Sequence, residues 1–237
     1  MTLQVLQVEN QIREARRVMI EREISAIDSP GQRLMKSLRL ARGMSVGDHQ
    51  KSWDVLLALN FIEKNVAKGE PVADFGCYAS EVLISLHKLG YTNLTGIDLN
   101  SKLDAMPNQH AIRYVVSDFM QTPFEDGAFK AITSISVIEH GFKPKLLLAE
   151  VSRLLLAGGF FIASFDYWPE KIDTKGTTFF DMDWLIFSRR DVEEFIELAG
   201  SFGLRPIGAL EFGGKDRVIN CAGKQYTFAT LVLTKVS

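Results

Sequence analysis

Residues 72–80 read VADFGCYAS, and this stretch decides the fold. Its first four residues, 72–75, form a short and mostly apolar run, which is typical of a strand buried in a sheet. Gly76 then permits a tight turn, and residues 80–89 have a helical pattern that ends at Gly90. The stretch therefore predicts a strand, a turn and a helix in direct succession.

The alternation of strand and helix continues along the chain from this unit. Apolar strand-like runs alternate with helical patterns, which indicates a parallel sheet covered on both faces. The runs 204–210 and 225–235 have no helix between them and are expected to pair as an antiparallel hairpin joined by loop 211–224. We predict an α/β fold with a Rossmann-like, seven-stranded, mostly parallel sheet, an antiparallel C-terminal hairpin and helices on both faces. The other predicted strands are 94–98, 112–117, 129–136 and 160–165, and the other predicted helices are 146–156 and 190–200.

The N-terminal part differs in charge from the rest and is predicted to be a helical extension. Residues 1–51 hold nine Lys and Arg against six Asp and Glu, a balance of +3, which leaves −5 for the remainder of a chain of net charge −2. Apolar residues from Val5 to Met19 recur at the spacing of one helix face. We divide the chain into an N-terminal helical extension, residues 1–50, and a domain at 51–237, and the N-terminal helices offer a contact for a homodimer. A second helix is expected to carry Arg33, Lys36, Arg39 and Arg42.

Composition excludes several classes of protein. Hydrophobic residues make up 46% of the 237 residues and charged residues 24%, which fits a globular protein rather than a disordered or fibrous one. The net charge of −2 argues against a general nucleic-acid binder. The cysteines, Cys77 and Cys221, are far apart, which argues against a disulfide framework and fits a reducing compartment. Because long apolar runs and a secretion-type N-terminus are lacking, we predict a cytoplasmic location without a transmembrane segment.

Polar residues follow successive predicted strands at the points where these strands end. Asp98 ends one strand, Asp118 follows the next, and Glu139 and His140 follow a third. Because the carboxyl ends of parallel strands meet along one edge of a sheet, these residues are expected to line a single crevice together with Asp74. Each acid alone also fits an ordinary turn or a helix N-cap. Their order and spacing, rather than any one of them, point to a ligand site.

Five segments in this order resemble the motifs of the class I S-adenosylmethionine-dependent methyltransferases, and the resemblance covers residues 70 to 237. VADFGCYAS resembles the glycine-rich first motif, although Tyr78 and Ser80 stand where the family usually has glycine. Ala157 replaces a proline that usually precedes the fifth strand. The other matching segments are GIDLN at 96–100, VSDF at 116–119, FKAITSISVIEHG at 129–141 and LLLAGG at 154–159.

The resemblance implies S-adenosylmethionine as the cofactor and a role for each matching residue. Asp74, Gly76 and the backbone at Tyr78 would hold its amino-acid end. Asp98 would accept hydrogen bonds from the ribose hydroxyls, and Asp118 would accept one from the adenine amine. The cofactor-binding residues implied in this way are Asp74, Gly76, Tyr78, Asp98, Leu99, Asp118, Phe119 and either Ser134 or Ser136.

Two residues are candidates for catalysis, and each has a structural alternative. His140 titrates near neutral pH and could act as a general base towards a weak nucleophile, but it could equally pack against the next helix. Asp166 could serve the same role or begin a turn. The aromatic segment 166–188 is expected to form either the acceptor site or a packed lid. Asp181 and Asp183 are a weak metal pattern, so no metal is predicted.

The predicted function is methyl transfer from S-adenosylmethionine to a small-molecule or glycan-type acceptor, at oxygen or nitrogen, by in-line displacement. Aromatic rings with scattered carboxylates in segment 166–188 suit a sugar-type acceptor. A nicotinamide-dependent oxidoreductase is less favoured, because Gly76 is the one glycine present of the three in a G-x-G-x-x-G motif. A catalytically silent binding protein of the same fold is the other alternative, since Tyr78 and Ser80 replace glycines.

Overall fold

The computed structural model describes residues 3–38, 40 and 44–236. Its central feature is a mixed sheet whose strands coincide with apolar, β-branched runs of the sequence. Strands β7 and β8 form a separate hairpin. The strands are β1 (Leu3–Val5), β2 (Val72–Phe75), β3 (Leu94–Asp98), β4 (Ile112–Val116), β5 (Phe129–Ile135), β6 (Leu155–Tyr167), β7 (Thr178–Phe179), β8 (Met182–Asp183), β9 (Leu204–Pro206), β10 (Ile219–Cys221) and β11 (Lys224–Lys235).

Two of the described helices begin at a side-chain cap, and a third begins at a proline. Ser29 and Gln32 form a capping box at the start of one helix, and Ser188 and Asp191 form another at the start of a second helix. In each case side chains accept hydrogen bonds from backbone N–H groups at the N-terminus of the helix. Pro144 occupies the first turn of a third. The helices are α1 (Asn10–Glu21), α2 (Pro30–Ser37), α3 (Ser52–Asn65), α4 (Val82–Lys88), α5 (Pro144–Leu154) and α6 (Arg189–Ser201).

The strand order places a topological switch point at the centre of the sheet. The order is β1-β11-β6-β5-β2-β3-β4, with β9 and β10 also paired to β11. Strands β2 to β6 are mutually parallel, and β11 runs antiparallel to β6. The chain runs from β2 outward to β4 on one side and returns through β5 to β6 on the other. Ligands of open α/β sheets bind beyond the carboxyl ends of the strands at such a point.

Helices cover both faces of the sheet and bury two apolar clusters. On one face, side chains of α5 and α6, such as Leu148 and Phe195, pack with Phe75 of β2. On the other face, Ile62 of α3 and Leu86 of α4 pack together. Each such side chain contributes about 1.5–3 kcal/mol by leaving water. Helix α1 packs against α3 and so belongs to the second layer.

The predicted α/β fold with a mostly parallel sheet and helices on both faces is confirmed, but its number of strands is corrected. Nine strands, rather than seven, join the central sheet in the described part of the chain, because Leu3–Val5 and Ile219–Cys221 also pair with β11. The helix expected from Val5 begins only at Asn10, since Val5 pairs with Ala229 in the sheet. Loop 211–224 contains β10, so the tight hairpin is formed by β10 and β11.

Two further boundaries differ from the predictions. The helix expected at 146–156 ends at Leu154, and β6 begins directly after it and runs through both glycines, Gly158 and Gly159. The second helix of the extension covers Pro30–Ser37, whereas Arg39 and Arg42 lie outside the described residues. Among the described helices, none combines the length and the apolar character needed to cross a bilayer.

Candidate active site

A cavity of about 830 Å³ lies at the switch point, beyond the carboxyl ends of strands β2 to β5. Its walls come from the loops after these strands, from the residues that lead into α3, and from the β7–β8 hairpin. A cavity of this size is large enough for a nucleoside-sized ligand and a second small molecule. The residues that line the cavity include Gly47, Asp48, Lys51, Val55, Gly76, Tyr78, Ala79, Glu81, Asp98, Leu99, Asp118, Phe119, Met120, Ile135, Ser136, Val137, His140, Gly141, Lys143, Phe180 and Met182.

The floor of the cavity is formed by backbone in unusual conformations. Gly76 has a φ of +71°, and a Cβ atom at this position would lie 2.3 Å from Cγ2 of Val137. Ala79 and Ser136 also have positive φ angles, 62° and 52°, although neither is a glycine. Non-glycine residues in this region cost free energy and cluster at functional sites. The loops after β2 and β5 therefore approach each other closely at Gly76, where the Val137 side chain occupies the space that a Cβ atom would need.

Asp98 is held in position at the end of β3 by two backbone groups. Its Oδ2 accepts a hydrogen bond from the Tyr78 N–H at 2.9 Å, and its Oδ1 accepts one from the Asn100 N–H at 2.8 Å. Each carboxylate oxygen can accept a second hydrogen bond. A carboxylate fixed in this way presents two neighbouring acceptors to the cavity, which suits a pair of adjacent hydroxyl groups.

The next strand supplies a second acid and an aromatic ring. Asp118 is exposed and accepts a hydrogen bond from the Met120 N–H at 2.8 Å. Phe119 is nine-tenths buried and stacks on Phe75, with ring centroids 5.3 Å apart. Leu99, which is 58% exposed, borders the same cavity. The structure thus places an acceptor and apolar surface beside the carboxylate of Asp98.

Two of the predicted cofactor residues lie beneath the wall rather than on it. Asp74 is buried, and its Oδ1 accepts a hydrogen bond from Thr133 Oγ1 at 2.7 Å. Burial raises the pKa of Asp74 to about 7. Ser134 is fully buried, whereas Ser136, two residues later, lines the cavity. A shift of two residues along the end of β5 thus decides whether a serine is buried beneath the wall or lines the cavity.

His140 lines the cavity, and its surroundings favour the neutral imidazole. Burial, with a smaller effect of the positive charge of Lys51, lowers the pKa of His140 to about 4. Its ring makes edge contacts with Phe179 and Phe180, at centroid distances of 5.8 and 5.5 Å. Nδ1 is buried and has no hydrogen-bond partner among the described residues. Because His140 lines the cavity, its neutral imidazole can accept a hydrogen bond from a molecule there at neutral pH.

Asp166 belongs to a buried group of charges behind the cavity. It is 4% exposed, accepts a hydrogen bond from Trp184 Nε1 at 2.7 Å, and lies 3.9 Å from Lys51 Nζ. Burial raises the pKa values of Asp166, Glu139 and Asp54. Lys51 reaches the cavity, whereas Asp166 is not among the lining residues. The geometry thus makes Asp166 a partner of Lys51 rather than a direct contact of a bound molecule.

Residues that precede β2 complete one wall of the cavity. The Gly47 N–H donates a hydrogen bond to the Ala79 carbonyl at 2.7 Å. Arg16 of α1 forms a buried ion pair with Glu81, in which the closest N to O distance is 2.5 Å. Lys51 also reaches the site from this side. These contacts join positions far apart in the chain, so no local sequence pattern could have indicated them.

The aromatic segment after β6 folds back over the site. Strands β7 and β8 pair antiparallel with Phe180 and Asp181 as the turn, and Phe180 and Met182 line the cavity. The Gly141 N–H donates to the Asp183 carbonyl at 2.8 Å, which joins the hairpin to the loop after β5. The carboxylates of Asp181 and Asp183 are exposed. The segment forms a cover for the cavity, as one of its two predicted roles requires.

The comparisons with known proteins agree with this geometry. Residues 73–163, from β2 into β6, match the sequence model of a family described as "Methyltransferase domain". This part of the chain is a methyltransferase domain. Solved structures of geranyl diphosphate methyltransferases that share this fold contain S-adenosylmethionine or S-adenosyl-L-homocysteine, and the family match does not support the nicotinamide-dependent alternative.

Curated relatives share the domain but differ in what their names say they modify. The eEF1A lysine and N-terminal methyltransferase of Danio rerio is 28% identical over 113 residues, which are 43% of this chain and 16% of that protein. The ubiquinone biosynthesis O-methyltransferase of Chromobacterium violaceum is 31% identical over 111 residues, 44% of this chain and 47% of that protein. The chain spans less than half the length of these curated relatives.

Solved structures share the fold over more of the chain. Geranyl diphosphate C-methyltransferase from Streptomyces coelicolor, in complex with Mg²⁺, geranyl diphosphate and S-adenosyl-L-homocysteine, has a TM-score of 0.57 at 16% identity and covers 81% of this chain and 88% of its own. The cyclase SpnF has a TM-score of 0.57 at 13% identity and covers 99% of this chain and 98% of its own. At these identities the likeness shows the fold alone.

Proposed function

We propose that this protein transfers the methyl group of S-adenosylmethionine to an oxygen or nitrogen atom of a small-molecule acceptor. The observation that carries the proposal is the convergence of Asp98, Asp118 and the open backbone at Gly76 on one cavity. The cavity volume of about 830 Å³ leaves space for a second molecule beside the cofactor.

The residues present fit the cofactor. Asp98 would receive the two ribose hydroxyls, and Asp118 the adenine amine, beside the apolar surface of Leu99 and Phe119. Gly76 lines the cavity, and without a side chain its backbone would lie next to the amino-acid end. Ser136 also lines the cavity, so its backbone would lie beside the cofactor. When bound, S-adenosylmethionine supplies a methyl group that its sulfonium charge makes electrophilic.

The protein's own contribution is to orient the acceptor, exclude water and receive a proton. The neutral imidazole of His140 can accept a hydrogen bond from an O–H or N–H group of the methyl acceptor. This bond would orient the acceptor so that a lone pair of its oxygen or nitrogen atom points at the methyl carbon. Lys51, oriented by Asp166, can stabilise negative charge that develops on the acceptor. The β7–β8 hairpin and the backbone at Gly47 limit the entry of water from two sides. In this scheme His140 contacts the acceptor and Asp166 is a positioning residue.

Three finer proposals rest on the sequence. A glycan-type acceptor is one member of the small-molecule class that we propose, motivated by the aromatic and acidic segment 166–188. A homodimer through the N-terminal helices and a cytoplasmic location are the other two. Size-exclusion chromatography with light scattering tests the dimer, and a mass of one chain at micromolar concentration would contradict it.

The proposed function is tested by calorimetric titration of the purified protein with S-adenosylhomocysteine and, in parallel, with NADH. We expect saturable binding of the first at one site and no binding of the second. Binding of NADH alone would contradict the proposal, and the absence of binding by either ligand would favour a catalytically silent protein.

A further inference from the structure

The turn of the β7–β8 hairpin carries an aromatic side chain in a conformation that such residues rarely adopt. Thr178 pairs with Asp183 and Phe179 with Met182, which leaves a two-residue turn of Phe180 and Asp181. Their φ angles are 56° and 61°. Two-residue turns with positive φ at both positions strongly prefer Asn and Gly. A phenylalanine there is held against its own backbone preference.

The same side chain is exposed at the cavity. Phe180 is 80% exposed, the highest exposure of any large apolar side chain in the described residues. It lines the cavity, and its ring stands perpendicular to the ring of His140 at 5.5 Å. Met182 of the same hairpin contacts Gly141, where a Cβ atom would lie 3.1 Å from the Met182 sulfur. The hairpin is therefore joined to the loop after β5, which places Phe180 at the edge of the cavity.

The surroundings of Phe180 and His140 define what this part of the cavity can hold. The hairpin presents Phe180 and Met182 to the cavity, and the loop after β5 presents Val137 together with the polar residues Ser136, His140 and Lys143. A sugar requires several hydrogen-bonding side chains around its hydroxyls, because a buried polar group without a partner is costly. A flat apolar molecule gains from contact with the ring of Phe180. Apolar residues elsewhere in the lining of the cavity include Val55, Leu99, Phe119, Met120 and Ile135.

We propose that Phe180 determines acceptor specificity by packing on a flat apolar group of the acceptor while His140 faces its nucleophile. In this proposal, the unfavourable backbone conformation of the turn serves to place the Phe180 ring at the cavity. The inference rests on the proposed function and narrows its acceptor to a molecule with an aromatic or similarly flat apolar face.

The test uses two variants that change the same turn in different ways. Phe180→Asn removes the ring and introduces a residue that tolerates positive φ. Asp181→Gly also relieves the turn but keeps the ring, so it is the matched control. We expect both variants to melt at a higher temperature than the wild type, and both to bind S-adenosylhomocysteine with wild-type affinity.

Calorimetric titrations of the S-adenosylhomocysteine complexes with 1-naphthol and with methyl β-D-glucopyranoside then separate the outcomes. We expect 1-naphthol to bind the wild type and Asp181→Gly alike, to bind Phe180→Asn at least about tenfold more weakly, and to bind more tightly than the glucoside. Equal affinity for Phe180→Asn and the wild type would overturn the inference, as would glucoside binding without naphthol binding, or no binding of either probe.

The order of the titrations separates this inference from the proposed function. A wild-type protein that fails to bind S-adenosylhomocysteine would overturn both. A protein that binds it, while its naphthol affinity does not depend on Phe180, would overturn the acceptor inference alone.

Discussion

Asp98 shows how a single side chain is prepared for a ligand by the strand that carries it. Its two oxygens accept hydrogen bonds from the N–H groups of Tyr78 and Asn100, so the carboxylate plane is fixed without help from a ligand. A fixed acceptor loses little entropy when it binds two hydroxyl groups. The sequence could locate this residue because it ends a strand, but the partner at Tyr78 depends on the fold.

Asp98→Ala is expected to weaken S-adenosylhomocysteine binding by at least about tenfold. Hydrogen bonds to a charged group contribute about 1.5–3 kcal/mol, and the variant loses those to the ribose. Calorimetry measures the dissociation constant. The exposed Asp104, on the single helical turn that follows β3, provides the control Asp104→Ala, which should bind as the wild type does. Unchanged affinity in Asp98→Ala would remove Asp98 from the site.

Asp54 is a buried acid whose protonation links stability to pH. Burial raises its pKa from an ordinary value of 3.8 to about 7, partly offset by Lys51. Between these values the folded state binds the proton that the unfolded state has released, so the contribution of Asp54 to the free energy of unfolding falls as the pH rises. His140 has the opposite slope below its ordinary pKa, because its folded pKa is lowered.

Asp54→Asn isolates this contribution. We expect the free energy of unfolding of the variant, relative to the wild type, to increase from pH 4 to pH 7 and then to level off. Urea denaturation at pH 5, 6, 7 and 8 measures it. The exposed Glu197 gives the control Glu197→Gln, for which the difference should not depend on pH. A constant difference for Asp54→Asn would show that Asp54 titrates normally.

The residue scale also marks where sequence reasoning stops. Asp74 and either Ser134 or Ser136 were expected at the cofactor, and the structure buries Asp74 and Ser134 beneath the wall, whereas Ser136 lines the cavity. The difference is set by the direction of each side chain and by the positive φ of Ser136. The sequence motif predicts which strand end carries these residues, but it predicts neither the direction of their side chains nor the φ angle of Ser136.

At the scale of elements, helix α1 is connected to the loop after β2 through one buried ion pair. Arg16 contacts both oxygens of Glu81, and its guanidinium also donates to Ser52 and Ser25. Glu81 lines the cavity. The predicted boundary at residue 50 therefore separates segments that share a wall, and whether they form two domains stays a prediction.

Arg16→Met is expected to lower the free energy of unfolding by about 3–5 kcal/mol, because it leaves the Glu81 carboxylate buried without its partner. It should also weaken S-adenosylhomocysteine binding, since the loop after β2 loses its support. Urea denaturation and calorimetry measure the two effects. Arg17→Met removes the exposed contacts to Glu14 and Glu21 on the same helix and should leave both quantities near the wild type. Equal behaviour of the two variants would contradict this role of the pair.

Strands and helices could be predicted where the sequence pattern that specifies them lies within a few neighbouring residues. The strands 72–75 and 94–98 and the helix α6 follow from apolar runs and from caps within a few residues. Strand β1 could not be recognised, because three residues form it and its partner β11 lies more than 220 residues away in the chain. The length of β6 was also missed, since its glycines suggested a turn.

At the scale of the whole molecule, β1 makes the N-terminus part of the sheet. Leu3 is fully buried in the cluster that also contains Phe165 and Leu231. Leu3→Ala should therefore lower the free energy of unfolding by about 2–5 kcal/mol, the usual effect of such a truncation in a core. Ile20→Ala, at a position 59% exposed, is the control and should change it little. A small effect of Leu3→Ala in urea denaturation would mean that β1 is detached in solution.

The overall arrangement follows from the order of strands around β2. This order brings the ends of β2, β3, β4 and β5 together, and with them residues that the sequence separates by more than 60 positions. The sequence predicted this convergence because alternating strands and helices favour a parallel sheet. It also predicted an acceptor site or a lid from segment 166–188, which contains Phe180. It could not predict the contribution of Gly47, which depends on how the residues before α3 pack over the sheet.

The most direct test of the central claim is a crystal structure of the protein with S-adenosylhomocysteine. We predict that the ribose hydroxyls lie within about 3.2 Å of the Asp98 carboxylate, with the adenine beside Asp118 and Phe119. A ligand bound at another place, or an adenosine that leaves Asp98 and Asp118 without contact, would contradict the account.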